Sequence, residues 1–399
     1  MTTSTLTPSK TTKSLLSTVD DLAPVIRKHA EEAEQNRRLS SPVFDAMVDA
    51  GLLRMFVPQE LGGLEVDVVS GFEVIERISE IDSAAAWNLQ ITAVDGPITA
   101  ALLPDEGARE IFSNPDAVIA GGFNPPGSAT PAEGGYRLTG RWPFVSACQH
   151  ATWVMDPALL MKDGQPEMTE HGPAMLVVCY PADEAQIIEN WDPLGMRGTG
   201  SHDIAVDDIF VPASRAGFMR PFDDVGSAFH GPLYKLGILP LVLGNAVVAL
   251  GIARSAIDEA VELAKAKIPA MQQTRPVDRG VVHMHLARAE ALLSSARAYF
   301  YTALEDAWSS ALKGERPTTK QRLHLQLAGS TAADSAAQAV DHIHAAVGSS
   351  GVREEQHRFA RHFRDVHTIT QHALCSATRF ESMGQVMLGL QTDWVFFDL

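Results

Sequence analysis

A serine and a histidine stand where proton chemistry is possible. Ser146 ends the run GYRLTGRWPFVS (135–146). Its alternation predicts a strand, and a period of two puts Phe144 on the same face as Ser146. A hydroxyl at a strand end can hold a ligand's N–H or simply cap a turn. His372 lies on a helix expected to begin near Asp365. An imidazole with an ordinary pKa of about 6.5 can take a proton from a weak acid or return one, although a lone histidine can equally be a core residue. His367 falls on a different helical face and is not expected to converge on the same site. The loop Gly198-Thr199-Gly200-Ser201 offers backbone N–H groups and two hydroxyls, and its glycines allow close approach. It lacks the strand–helix setting of a dinucleotide fingerprint and could be a plain turn. Arg275 and Arg279 flank a turn ahead of a long helix, where cations could meet phosphate or merely face solvent. GSSG (348–351) reads as a glycine turn or a helix C-cap. Arg364-Asp365 reads as a structural ion pair, and Trp87 as buried core or, alternatively, a wall of the cavity. Cys148, Cys179 and Cys375 have no spacing that suggests a disulfide framework or a zinc motif, and a reducing cytoplasm suits them.

The elements that must position these groups fall into three regimes. From 14 to 116 the pattern is helical, with apolar residues at three- and four-residue spacing and a helix from 83 to 98 capped by Asp82 or Ser83. VPQELGG (57–63) reads as a turn. From 117 to 225 short β-rich runs alternate with Gly, Pro and Asp, predicting an antiparallel β domain with a hairpin turn at Gly134-Gly135. From 226 to 399 long Ala/Leu-rich segments predict a four-helix bundle. One stripe there is Leu286, Ala289, Leu293, Ala296, Phe300 and Ala303. The fold class is therefore α+β. The apolar stretch Leu236–Ala253 is long enough to cross a membrane. Pro240, Gly244 and Asn245 interrupt it, and it continues into an amphipathic segment, so a buried bundle helix is expected. The last residues, ending DWVFFDL, are too apolar to hang free. With 32 Lys+Arg against 49 Asp+Glu, the net charge of −17 argues against general binding to nucleic acid or anionic membrane.

The helical–β–helical order, with VPQELGG (57–63), GYRLTGRWPFVS (135–146), GMRGTGSHDIAVDDIFVP (195–212) and RHFRDVHT (361–368), resembles the acyl-CoA dehydrogenase fold. Acyl-CoA dehydrogenases typically carry a catalytic glutamate shortly after the Arg-Asp pair. Here no carboxylate occurs between Asp365 and Glu381, and the expected position falls near His372 and Ala373. The chain instead resembles the flavin-dependent monooxygenases of this fold, which share G-R-W-x-F-x-S, W-x-x-x-G-x-R-G-T-G-S and R-D…H elements. The resemblance implies the oxygenase component of a two-component system. It would take reduced FMN, with FAD as the alternative, from a separate NAD(P)H-dependent flavin reductase, and hydroxylate an aromatic or heteroaromatic molecule through a C4a-hydroperoxyflavin. The other reading is a flavin dehydrogenase or oxidase on the same fold, such as an acyl-CoA dehydrogenase or a nitroalkane-oxidase relative.

By resemblance, Ser146 meets flavin N5–H, Trp142 and Phe144 shape the ring site, and His372 is the acid/base group. Asn124, Thr199, Gly200 and Ser201 would border the flavin, while Arg275 and Gly348 would meet its phosphate-bearing part. Some monooxygenases of this kind carry a histidine a few residues after the position of Trp87. This chain has NLQITAVDG there, with Asp95, which implies a different substrate or proton donor. The resemblance also implies a homotetramer.

Overall fold

The computed structural model describes residues 10–123, 126–170, 172–219, 225–268, 274–353 and 357–397. The N-terminal layer is helical: α1 (Lys10–Asn36), α2 (Ser41–Asp49), α3 (Val68–Ile81), α4 (Ser83–Gln90), α5 (Gly96–Ala100) and α6 (Asp105–Phe112). Asp82 caps α4 by accepting the Ala85 N–H at 2.8 Å. The single helix expected over 83–98 is broken: Ile91–Asp95 form a π-helical turn between α4 and α5. Such turns widen a helix by one residue and cluster at functional sites.

Among the described residues the central layer is a nine-stranded sheet. Its strands are β1 (Ile119–Ala120), β2 (Gly127–Ala132), β3 (Gly135–Val145), β4 (Trp153–Lys162), β5 (Gln165–Pro166), β8 (Met175–Pro181), β9 (Gln186–Ile188), β10 (His202–Pro212) and β11 (Ala216–Phe218). A separate small pair joins β6 (Met168–Thr169) to β7 (Gly172–Pro173). The main path runs β11-β8-β4-β2-β3-β10-β9. The sheet is mixed rather than antiparallel, because β1 and β2 both pair parallel with β4. The hairpin turn is Glu133-Gly134, with Gly134 at φ +78° and Ala132 opposite Gly135.

The C-terminal layer comprises α7 (Pro232–Lys235), α8 (Leu239–Ala266), α9 (Gly280–Ala311), α10 (Thr319–Val347), α11 (Phe359–Ile369) and α12 (Thr378–Met387). Helix α10 packs along both α8 and α9, and α11 crosses α8 and α10. Helix α8 also packs on α3 and α4, so the two helical layers share one apolar core. Of the stripe read on α9, Ala289 through Ala303 are buried, while Leu286 lines a cleft at the end of the bundle. Among the described residues no helix is long and apolar enough to cross a membrane. The C-terminal tail folds back: Trp394 and Phe397 are buried, and Trp394 Nε1 donates to Gln326 Oε1 on α10 at 2.9 Å.

Candidate active site

The start of the site is an irregularity in β3. Val145 pairs with His202 and Trp142 with Ile204, so three steps on β3 face two on β10. The extra residue is accommodated around Phe144, which takes φ +63°. A bulge of this kind resets the side-chain alternation. Phe144 is therefore 68% exposed and meets Trp191 edge-on, while Ser146 is buried. The two do not share a face, contrary to the expected alternation. Trp142, also expected at the ring site, is enclosed by the protein. It is fully buried in the core of the β layer, donates from Nε1 to Pro157 O at 3.0 Å and packs near Tyr180. Gly127 and Gly140 leave the space its indole fills, since a Cβ on either would come within 2.5 Å of the ring.

Ser146 Oγ heads a directed chain of hydroxyls. Trp87 Nε1 donates to it at 3.0 Å. Ser146 then meets Ser201 Oγ at 2.7 Å, Ser201 meets Thr199 Oγ1 at 2.6 Å, and Thr199 donates to Met196 O at 2.8 Å. An indole N–H can only donate and a carbonyl can only accept. With one proton per hydroxyl, Thr199 spends its proton on Met196, Ser201 on Thr199 and Ser146 on Ser201. Ser146 keeps one lone pair for a ligand's N–H. Among these buried hydroxyls it is thus poised as an acceptor, and this donor–acceptor set fits the N–H edge of a reduced flavin.

Trp87 joins Ser146 to His372. The indole and imidazole rings lie 5.3 Å apart at 74°. His372 sits beyond the end of α11, in the turn leading to α12, rather than on a helix beginning near Asp365. Its Nδ1 meets Asn245 Nδ2 of α8 at 3.0 Å and the Leu374 backbone N–H at 3.4 Å. A backbone N–H can only donate, so Nδ1 accepts and the neutral ring carries its proton on Nε2. Among the described residues Nε2 has no hydrogen-bond partner. Burial pushes this imidazole down to about 4, well below its ordinary value. The ring is therefore neutral at pH 7 and offers an N–H rather than a basic nitrogen. That corrects the expectation of a group titrating near neutrality. His367, as expected, lies elsewhere and binds Asp341 at 2.9 Å.

Close by, the buried Gln90 amide donates to Asp95 Oδ1 at 3.0 Å across the π-turn. Its carbonyl oxygen is buried without a partner among the described residues. The amide lies so tightly on α8 that a Cβ at Gly244, beside Asn245, would come within 2.0 Å of it. Burial raises the Asp95 carboxyl well above the usual carboxylate range, against the lowering effect of the Gln90 amide bond.

The remaining expected site residues divide. Thr199 and Ser201 belong to the hydroxyl chain. Gly200 takes φ +56°, a left-handed conformation that favours glycine, at the loop's turn into β10. Arg275 is exposed and donates to Lys265 O at the end of α8. Gly348 lines a cleft of about 550 Å³ with Leu263, Lys267, Arg279 and His285. That cleft lies roughly 28 Å along α8 from Asn245, at 1.5 Å per residue. One chain therefore does not bring Arg275 and Gly348 to Ser146 and His372. Asn124 falls outside the described residues. Arg364 and Asp365 do not pair with each other. Arg364 binds Glu34 at 2.9 Å, and Asp365 accepts from Met196 N–H and Ser83 Oγ. The three thiols are buried and free, and burial pushes Cys148 and Cys375 up to about 12, so none is a ready nucleophile.

Sequence reasoning missed Asn245 and the bridging role of Trp87. Asn245 is a lone amide inside an apolar helix, and that anomaly was its signal. Trp87 is buried as expected, but its N–H and ring edge face the two polar groups of the site.

Two family patterns match the chain: the acyl-CoA dehydrogenase N-terminal domain over residues 9–101 and the C-terminal domain over residues 243–377. The chain is 33% identical to an indole-3-acetate monooxygenase of Pseudomonas putida over 373 residues, covering 92% of this chain and 91% of that one. It is 26% identical to the oxygenase component of an FADH2-dependent resorcinol hydroxylase from Rhizobium sp., covering 94% of each. The solved structure of XiaF from Streptomyces sp., in complex with FADH2 and glycerol, superposes with a TM-score of 0.88. It covers 96% of this chain and 97% of that one at 25% identity.

Proposed function

The chain belongs to the acyl-CoA dehydrogenase family, in its flavin-dependent monooxygenase branch, and we propose that Ser146, Trp87 and His372 form its reaction centre. Bound reduced flavin supplies the electrons that activate dioxygen and delivers one oxygen atom to the substrate. Ser146 accepts the N–H at the ring's centre and holds that proton in place. Trp87 walls the site and fixes Ser146 through its indole N–H. His372 donates from Nε2 to oxygen on the reacting partners, while Asn245 and Leu374 keep its other nitrogen occupied. Exposed Phe144, beside Trp191, would offer an apolar face to the bound ring. The substrate is an aromatic or heteroaromatic molecule, and an indole with a short acidic side chain is the first to test. A separate NAD(P)H-dependent reductase supplies the reduced flavin.

The assembly is a homotetramer in which the bundle-end cleft with Gly348, and Arg275 nearby, serve the phosphate-bearing part of a flavin seated in a neighbouring copy. FMN and FAD both carry such a group. The three free thiols suit a reducing cytoplasm.

The observation that carries this reading is the fixed direction of the hydroxyl chain, which leaves Ser146 an acceptor beside a neutral imidazole. The test mixes the protein and reduced flavin with oxygenated buffer and a panel of indoles, phenols and thiophenes. Hydroxylated product that depends on reduced flavin is expected. Ser146→Ala should divert most of the flavin's electrons to hydrogen peroxide, lowering product per flavin by about tenfold to a hundredfold. Peroxide with every aromatic, or bleaching of tightly bound oxidised FAD by an acyl thioester, would overturn it.

A further inference from the structure

Asp365 lies on α11, outside the cluster, yet both of its oxygens lead into it. Its Oδ1 accepts the Met196 N–H at 2.6 Å, and its Oδ2 accepts from Ser83 Oγ at 2.5 Å. We propose that Asp365 is a positioning residue for the monooxygenase reaction, holding loop 195–201 and α4 so that Ser201 and Trp87 converge on Ser146. The inference rests on the role given to Ser146 above.

The first arm runs through the loop. Met196 adopts φ +58°, a left-handed conformation that a non-glycine residue keeps only when its surroundings hold it. Asp365 holds the N–H of this residue, and Thr199 and Trp191 hold its carbonyl at 2.8 and 3.2 Å. Gly195 lies flat on α11, where a Cβ would come within 2.3 Å of the Arg364 backbone. From Met196 O the hydroxyls of Thr199 and Ser201 lead to Ser146.

The second arm runs through α4. Ser83 is its first residue and Trp87 lies four residues on, one turn along the same face. Asp82 already caps this helix, so the Ser83 bond is not needed to form it. The bond instead fixes where α4 sits against α11. Arg361 keeps its strongest contacts for Asp82 and Glu34, at 2.5 and 3.1 Å, and stands 3.5 Å from Asp365. The two arms close a ring: Asp365, Met196, Thr199, Ser201, Ser146, Trp87, Ser83 and back. Seven residues beyond Asp365 the same segment delivers His372, so one carboxylate indexes three elements to each other.

The test uses full-length protein labelled with 5-fluorotryptophan and free of flavin. The Trp87 resonance is assigned with Trp87→Phe, and Ser146→Ala marks its position without its acceptor. Asp365→Ala should move the Trp87 signal towards that position while cooperative thermal unfolding persists. With reduced flavin added, product per flavin should fall about tenfold and peroxide should rise, because small misplacements in a reaction site are costly. Asp365→Asn, which keeps an acceptor for Met196, should recover part of both. If Asp365→Ala does not fold, Ser83→Ala decides, since it cuts one arm only. It should shift the same signal and lower the same yield to a smaller degree. An unchanged Trp87 resonance and product yield in either folded variant would overturn the proposal. Ser146→Ala with full product yield would overturn the reading of Ser146 instead, and the Trp87 resonance would still judge Asp365.

Discussion

His372 and Asp95 show how burial moves the titration of ordinary side chains in opposite directions. Because Nδ1 of His372 accepts two N–H groups and burial holds its pKa near 4, the native state binds fewer protons than the unfolded chain between about pH 4 and 6.5. Stability should therefore fall as pH drops through that window. The melting temperature of the native protein should fall on acidification through this window, and that of His372→Asn should respond less. Product yield should likewise show no inflection from this group near pH 6.5, its acid limb lying closer to 4. Asp95 works in the opposite sense. Its carboxyl is raised, so the native state binds the extra proton and stability falls as pH rises past the unfolded value of about 3.9. Asp95→Asn keeps an acceptor for Gln90 and removes that penalty. Its melting temperature should exceed the native one at pH 8, with the gap closing near pH 4. Neither behaviour was visible in the chain. Ser146 and His372 could be picked out from their motifs, but their protonation depends on Asn245, Leu374 and Trp87, which only the folded packing supplies.

At the scale of elements, the long helices of the bundle were legible because a 3.6-residue period survives in any apolar stripe. The β3 bulge was not. It arises from the register between Val145 and His202, residues far apart in the chain, and it alone turns Phe144 outward while Ser146 turns in. The same holds for the π-turn, whose extra residue leaves no mark on Ile91–Asp95. Gly244 gives a direct check on how tightly these elements meet. Glycine to alanine inside a helix normally stabilises by about 1 kcal/mol. Here the added methyl would strike the Gln90 amide. Gly244→Ala should instead destabilise by about 1–3 kcal/mol, the usual cost of overpacking, in a denaturant titration. It should also disturb His372 through Asn245.

Across the whole molecule, the proposed reaction centre draws on every layer. Trp87 comes from the first helices, Ser146 and Ser201 from the sheet region, Asn245 from α8 and His372 from the segment after α11. The tail adds a final brace. Trp394 donates to Gln326 Oε1, Gln326 Nε2 donates to Leu374 O at 2.9 Å, and the Leu374 N–H meets His372. The Arg379 guanidinium covers the same indole at 3.8 Å. Trp394→Ala should cost about 3–5 kcal/mol by calorimetry, as buried tryptophans do, and should lower product yield through His372. This brace also sets an order of events during synthesis. Ribosomes emit Trp87, Ser146, Asn245 and His372 before Trp394, and folding proceeds from the N-terminal side. A chain that has left the ribosome but not yet docked its tail would hold every one of these groups with its imidazole still loosely seated. Docking of Trp394 on Gln326 would thus be the last step that seats His372.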